Sequence, residues 1–184
     1  MQFQGSILND HNTREDRPGL EVIGQFTTCA AKSYWIALVL TGDEKKASRI
    51  VASGIHEIAD SGTVFGEWMC AWGLGVVIKA CVALRADELR KEEGSGEYWR
   101  AKAAEGPTIE LQQAPLSTEG LRRALLLVPL FPRFVFVVRV LEGYPLSYLA
   151  SILSVDKEAC QAALTYSFRA FAQVLISVQP ASQQ

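Results

Sequence analysis

The chain has two histidines, His11 and His56, and that scarcity excludes most catalytic constellations at once. No Cys/His or Ser/His/Asp set can be assembled around them. A catalytic zinc needs three protein ligands. The run His56-Glu57-Ile58-Ala59-Asp60 begins like a zinc-protease helix but has no third ligand to recruit, so it reads as a solvated helix end. Gly73-Leu74-Gly75-Val76-Val77-Ile78 starts like a dinucleotide loop, yet it lacks the third glycine and no strand clearly precedes it. Packing of a helix through small residues is the simpler reading. Neither catalytic residues, nor a metal, nor a cofactor is expected. The chain does not look like an enzyme.

Long apolar runs are also missing. The most apolar window, Trp68 to Ile78, is interrupted by Gly73 and Gly75 and closed by Lys79. It falls far short of the ~20 residues needed to cross a bilayer. The first residues carry Asn9, Asp10, Glu15 and Asp16 with no apolar stretch behind a positive start, so no secretory signal is expected. Cys29, Cys70, Cys81 and Cys160 are scattered without a CxxC pair. They are expected to be free, mostly buried thiols of a soluble cytoplasmic protein. Strong charge of either sign is absent too: 18 basic and 20 acidic side chains leave a net −2, which does not suggest a basic nucleic-acid glove. What is present is apolar material, 49% of the 184 residues, enough for a core and too much for a disordered chain.

Proline is absent between Gly19 and Gly106, then crowds the following stretch as Pro107, Pro115, Pro129, Pro132 and Pro145. Because proline disrupts helix interiors, the first stretch is free to be a helical bundle. Ala30, Tyr34, Ala37 and Leu38 share one helical face, and Thr41-Gly42-Asp43 then punctuates, with Gly42 ending one helix and Asp43 capping the next. Ala47, Ile50, Val51, Ile55 and Ile58 make the clearest amphipathic stripe in the sequence, ended by Ser61-Gly62. A third helix is expected from about Phe65 to Arg90, its two glycines costing roughly 1 kcal/mol each. A short helix follows around Tyr98 to Ala104. Trp35, Trp68, Trp72 and Trp99 read as core or interface.

From Ser117 onward, Arg122, Arg123, Arg133, Arg139, Lys157 and Arg169 face Glu119, Glu142, Asp156 and Glu158, a local excess of two positive charges. Phe134-Val-Phe-Val-Val-Arg-Val-Leu141 has the β-branched and aromatic content of a buried strand, and propensity alone assigns it so.

A family resemblance changes that assignment. Leu121-Arg-Arg-Ala-Leu-Leu-Leu-Val-Pro129 is followed by Arg133, Val135-Phe136, Arg139 and Leu141-Glu-Gly143, then by Tyr148-Leu-Ala-Ser-Ile-Leu-Ser-Val155 and a last helix with Leu164. This resembles, without a gap, region four of bacterial RNA polymerase sigma factors of the extracytoplasmic-function type. Trp35-Ile-Ala-Leu-Val-Leu-Thr-Gly-Asp43, with Ala47, Ile50 and Val51, looks like the family's region two, in the right order. The resemblance implies that the Val-rich run is a helix and that a helix-turn-helix lies at about Leu146 to Phe171. It implies an all-α protein of two small helical domains: a flexible segment over 1–24, a region-two-like domain over 25–105, a linker over 106–117 and a region-four-like domain over 118–178. In the last helix, Cys160, Leu164, Phe168, Phe171 and Leu175 form the expected inward stripe, with Asp156 as its cap.

By the same resemblance, core RNA polymerase would be held through Ala47, Arg49, Ile50 and Val51, and promoter DNA touched by Lys157, Gln161, Thr165 and Arg169. An anti-sigma or other regulatory protein would be a further partner, and a membrane would not. The chain departs from the family where contacts matter. Ser48, Arg49, Ala52 and Ser53 stand where acidic and glutamine residues are usual; Glu88, Glu92 and Glu93 sit near the end of the third helix in place of a basic, aromatic run. Ala163, Tyr166 and Phe168 replace residues that are usually basic, and Ser154 replaces the turn glycine. Lys and Arg on phosphates supply most non-specific affinity, so DNA binding is expected to be weak. The alternative is a degenerate sigma-like module that keeps the fold and works through protein contacts alone.

Overall fold

The computed structural model describes residues 17–60, 66–92, 96–106 and 117–177. The segment 1–16, the helix stop at Ser61-Gly62, Glu93 and linker positions 107–116 lie outside the described residues, as do the side chains of Ile58, Trp68, Glu92 and Leu175. Every described element is helical, so the protein is all-α.

The first helix, α1, runs over Arg17–Thr41 and thus includes part of the segment expected to be flexible. It ends as the sequence indicates. The Thr41 hydroxyl donates to Ala37 O at 2.7 Å, and Gly42 takes φ +70° with its N–H on Leu38 O. Asp43 then caps α2, Glu44–Asp60, by accepting the Lys46 N–H at 2.9 Å. That backbone N–H holds the Asp43 carboxyl below the usual carboxylate range. Ala47, Ile50 and Val51 are buried against α1 and α3, while Lys45, Ser48, Arg49, Ala52 and Ser53 face water.

The third expected helix is bent. α3 spans Gly66–Leu84 and α4 Ala86–Glu92. The hydrogen-bond ladder crosses the bend, from Arg85 N–H to Cys81 O and from Leu89 N–H to Arg85 O. At the bend the Arg85 guanidinium donates to Thr41 O and pairs with Glu88 at 2.6 Å. Beyond this point α4 packs on α7. Next, α5 occupies Gly96–Glu105.

Ser117 caps α6, Thr118–Leu127, by accepting the Gly120 N–H at 3.0 Å. α7, Leu130–Phe136, begins after Pro129 and continues as a π-helical turn over Val137–Leu141, closed by Glu142 N–H on Val137 O. Pro132 fits because the first helical turn needs no N–H donor. Propensity alone assigned a strand here, and the packing explains the misfit. α7 is enclosed by α1, α4, α6 and α9, with Phe131, Phe134, Val135, Val137 and Val138 all but inaccessible. A helix covered on every side shows no amphipathic period.

α8, Leu146–Leu153, and α9, Lys157–Ser177, are two helices joined by a short turn where the resemblance implies a helix-turn-helix. Ser154 in the turn adopts the left-handed conformation, φ 58°, while its neighbour's N–H, that of Val155, returns to Ala150 O at 3.0 Å. Asp156 accepts the Ala159 N–H and so caps α9. A side chain in that conformation costs about 1–2 kcal/mol, partly offset by the freedom glycine loses on folding. Ser154→Gly is therefore expected to stabilise the fold by somewhat under about 1 kcal/mol, a rise of roughly 2 °C in Tm. A lower Tm would contradict the left-handed turn.

Buried side chains from every described helix join one contiguous core cluster. α4 and α5, from the first half of the chain, pack on α7 and α9 of the second. Among the described residues no separate core marks either of the two expected domains.

The cysteine expectation needs correction. Cys81 and Cys160 are free and buried, as anticipated, but Cys29 and Cys70 are joined in a disulfide with a Cα–Cα distance of 5.4 Å. The bridge links α1 to α3 across 41 positions, and no local pattern such as CxxC announces it. Burial pushes the Cys81 thiol up to about 12 and Cys160 to about 11, so neither is a ready nucleophile.

Candidate nucleic-acid interface

A helix-turn-helix reads DNA with the exposed face of its second helix, so α9 is where a site would lie. Its surroundings are fixed from two sides. On one, Cys160, Leu164 and Ser167 sit within the core beside α7 and α8, with the Ser167 hydroxyl 2.9 Å from Pro132 O. On the other lies α5, which makes the most extensive contact of any helix pair with α9. Trp99 of α5 is buried between Phe131, stacked at 5.7 Å, and Tyr166, met edge-on at 5.5 Å. At Gly96 a Cβ would come within 3.2 Å of Ala159 N, so a larger residue would press the start of α5 against the backbone of α9.

The expected inward stripe is correct at Cys160 and Leu164, and Phe171 is half-buried, stacked on Phe136 at 4.5 Å. It is wrong at Phe168, which is 52% exposed and touches Phe136 only edge-on. Ser167 takes the buried place instead. Helical spacing permits either neighbour, and the short hydroxyl allows α7 to approach where a phenyl ring would not fit. Ala163 and Tyr166, which stand where the family carries basic residues, are both buried. The docking of α5, through Trp99, accounts for the apolar ring at Tyr166. Sequence reasoning missed this second buried face; Tyr98-Trp99 inside a short polar helix was the available signal.

Lys157, Gln161 and Thr165 lie exposed along the remaining face of α9. Thr165 spends its hydroxyl proton on Gln161 O at 3.0 Å, leaving its oxygen as an acceptor. Arg169 is exposed as a residue, but its guanidinium donates to Ala103 O near the end of α5. Three of the four expected contacts are therefore displayed together, and the fourth is turned toward α5.

Other cations add little to this face. Arg122 and Arg123 both bond to Glu119, whose carboxyl they hold down at about 2. Arg133 is buried and donates to Leu126 O at 3.2 Å. Arg139 is exposed and donates to Tyr144 O. Of the four residues expected to hold polymerase, Ala47, Ile50 and Val51 are interior, and Arg49 alone reaches solvent. His56 and Glu57 face water, and no group of three metal-ligating side chains occurs among the described residues. No described helix is long and apolar enough to cross a membrane.

Fold and site together define an all-α protein in which, among the described residues, α8 and the turn at Ser154 lead into α9 over one helical core. Comparison with family models, curated proteins and solved structures returned no match to this chain.

Proposed function

We propose that this chain is a sigma-like protein of transcription initiation, working in the cytoplasm through core RNA polymerase and promoter DNA. The observation that carries the reading is the α8–α9 helix-turn-helix with Lys157, Gln161 and Thr165 aligned on its open face. Lys157 would meet phosphate, while Gln161 and Thr165 have the donors and acceptors to address base edges. Polymerase would meet the exposed side of α2 around Arg49, since Ala47, Ile50 and Val51 serve the core.

Fluorescence anisotropy with promoter-bearing duplexes, from low to moderate salt, tests the DNA half. With two phosphate contacts, Lys157 and a released Arg169, the log–log salt slope is expected near −1.8. The Lys157→Ala/Arg169→Ala double variant should lose most of the remaining salt dependence. Stoichiometric retention of core polymerase tests the other half.

A second reading, a sigma-like module that works through protein contacts alone, is favoured by the docking of α5 along α9. A recognition helix flanked in this way presents a narrow face to a major groove about 12 Å wide. Absence of saturable binding at low salt, together with no polymerase retained, would select the second reading.

A further inference from the structure

We propose that the Cys29–Cys70 disulfide is a redox-responsive clasp that sets how firmly the segment from Glu142 to Tyr148 is held against α1 and α3. The inference is independent of the function proposed above. Both cysteines are half-buried, so a small reductant can reach the bridge, whereas Cys81 and Cys160 are enclosed. The groups beside the bridge are those that grip the segment. One turn along α1 from Cys29, the Lys32 ammonium pairs at 2.7 Å with the Glu142 carboxylate, which is almost wholly covered. Next to Cys70 on α3, Ala71 O accepts the Tyr144 hydroxyl at 3.3 Å. One turn further along α3, a Cβ at Gly75 would lie 3.9 Å from both the Tyr144 and Tyr148 hydroxyls, and those two rings stack at 4.8 Å. The bridge, the ion pair and the tyrosine contacts thus share one end of the α1–α3 pair. The segment they hold includes Gly143, at φ +75°, and leads directly into α8.

The chemistry is thiol–disulfide exchange. A thiolate of a soluble dithiol attacks one sulfur of the bridge, the S–S bond breaks, and the other cysteine leaves as a thiolate and takes a proton. The second thiol of the reductant then closes on the mixed disulfide. Two electrons and two protons pass to Cys29 and Cys70, and the dithiol becomes a disulfide. With the bridge open, α1 and α3 are free to separate at this end, and Lys32 and Ala71 no longer hold fixed positions relative to one another.

The test uses the full chain with fluorotyrosine incorporated, its 19F resonances assigned by single Tyr→Phe variants. Alkylation in denaturant should find two free thiols before treatment and four after addition of dithiothreitol. In the native protein the dithiol should shift the Tyr144 and Tyr148 resonances toward the positions of free tyrosine. Tyr98 and Tyr166, packed around Trp99 at a distance from the clasp, should not move. Reoxidation should restore the spectrum. Lys32→Ala, which leaves the bridge intact, should move the same two resonances part of the way. Four free thiols before treatment would overturn the proposal. So would Tyr144 and Tyr148 signals that ignore the dithiol, signals indifferent to Lys32→Ala, or a shift shared by all the tyrosines. Because the titration is run on the wild-type chain, it does not depend on a cysteine variant folding.

Discussion

Trp99→Ala is expected to lower the stability of the protein by about 3–5 kcal/mol, a fall of roughly 10 °C in Tm. Trp99 is nearly inaccessible and is the only indole wedged between α5, α7 and α9 among the described residues, touching Phe131 and Tyr166 at once. Replacing it leaves a cavity whose walls come from helices distant in sequence, so the site cannot collapse by moving one side chain. Against a typical total of about 5–15 kcal/mol, such a loss is a large share. Urea unfolding followed by circular dichroism reads it directly. A loss below about 1 kcal/mol would mean that α5 is peripheral and that α9 is not flanked as described.

Phe134→Ala is expected to cost a similar amount, about 3–5 kcal/mol, because Phe134 is fully buried at the centre of α7. Phe171→Ala should cost distinctly less, about 1–2 kcal/mol, since its ring is half-buried and retains one face against Phe136. The ordering is the stronger check. Were α9 seated by the 164–168–171 stripe that spacing suggests, Phe171 and Phe168 would match Phe134. Equal losses at 134 and 171 would place Phe171 deeper than the structure does.

Some of the architecture was legible in the chain. Gly42 and Asp43 were identified as the stop and cap around residue 42, and the structure places them in those roles. The stripe Ala47, Ile50, Val51 predicted an interior helix face, and those residues are interior. These signals are local: a cap needs one side chain three residues away, and a stripe needs a single buried face. Of the row Lys157, Gln161 and Thr165, the structure shows only that all three are exposed.

The sequence by itself determined that the proline-free first stretch is helical, where several helices begin and end, and which face of α2 turns inward. Those properties rest on hydrogen bonds and periodicities spanning a few residues. Tertiary structure decided the rest. Only enclosure by neighbouring helices explains the strand-like composition of Phe134 to Val138, because continuous burial there erases the period that would announce a helix. Only the arrival of α5 covers Tyr166 and turns Arg169 aside. Only the packing of α1 on α3 brings Cys29 to Cys70. Each of these depends on residues dozens of positions apart, and no local pattern encodes which distant surface will cover a given face.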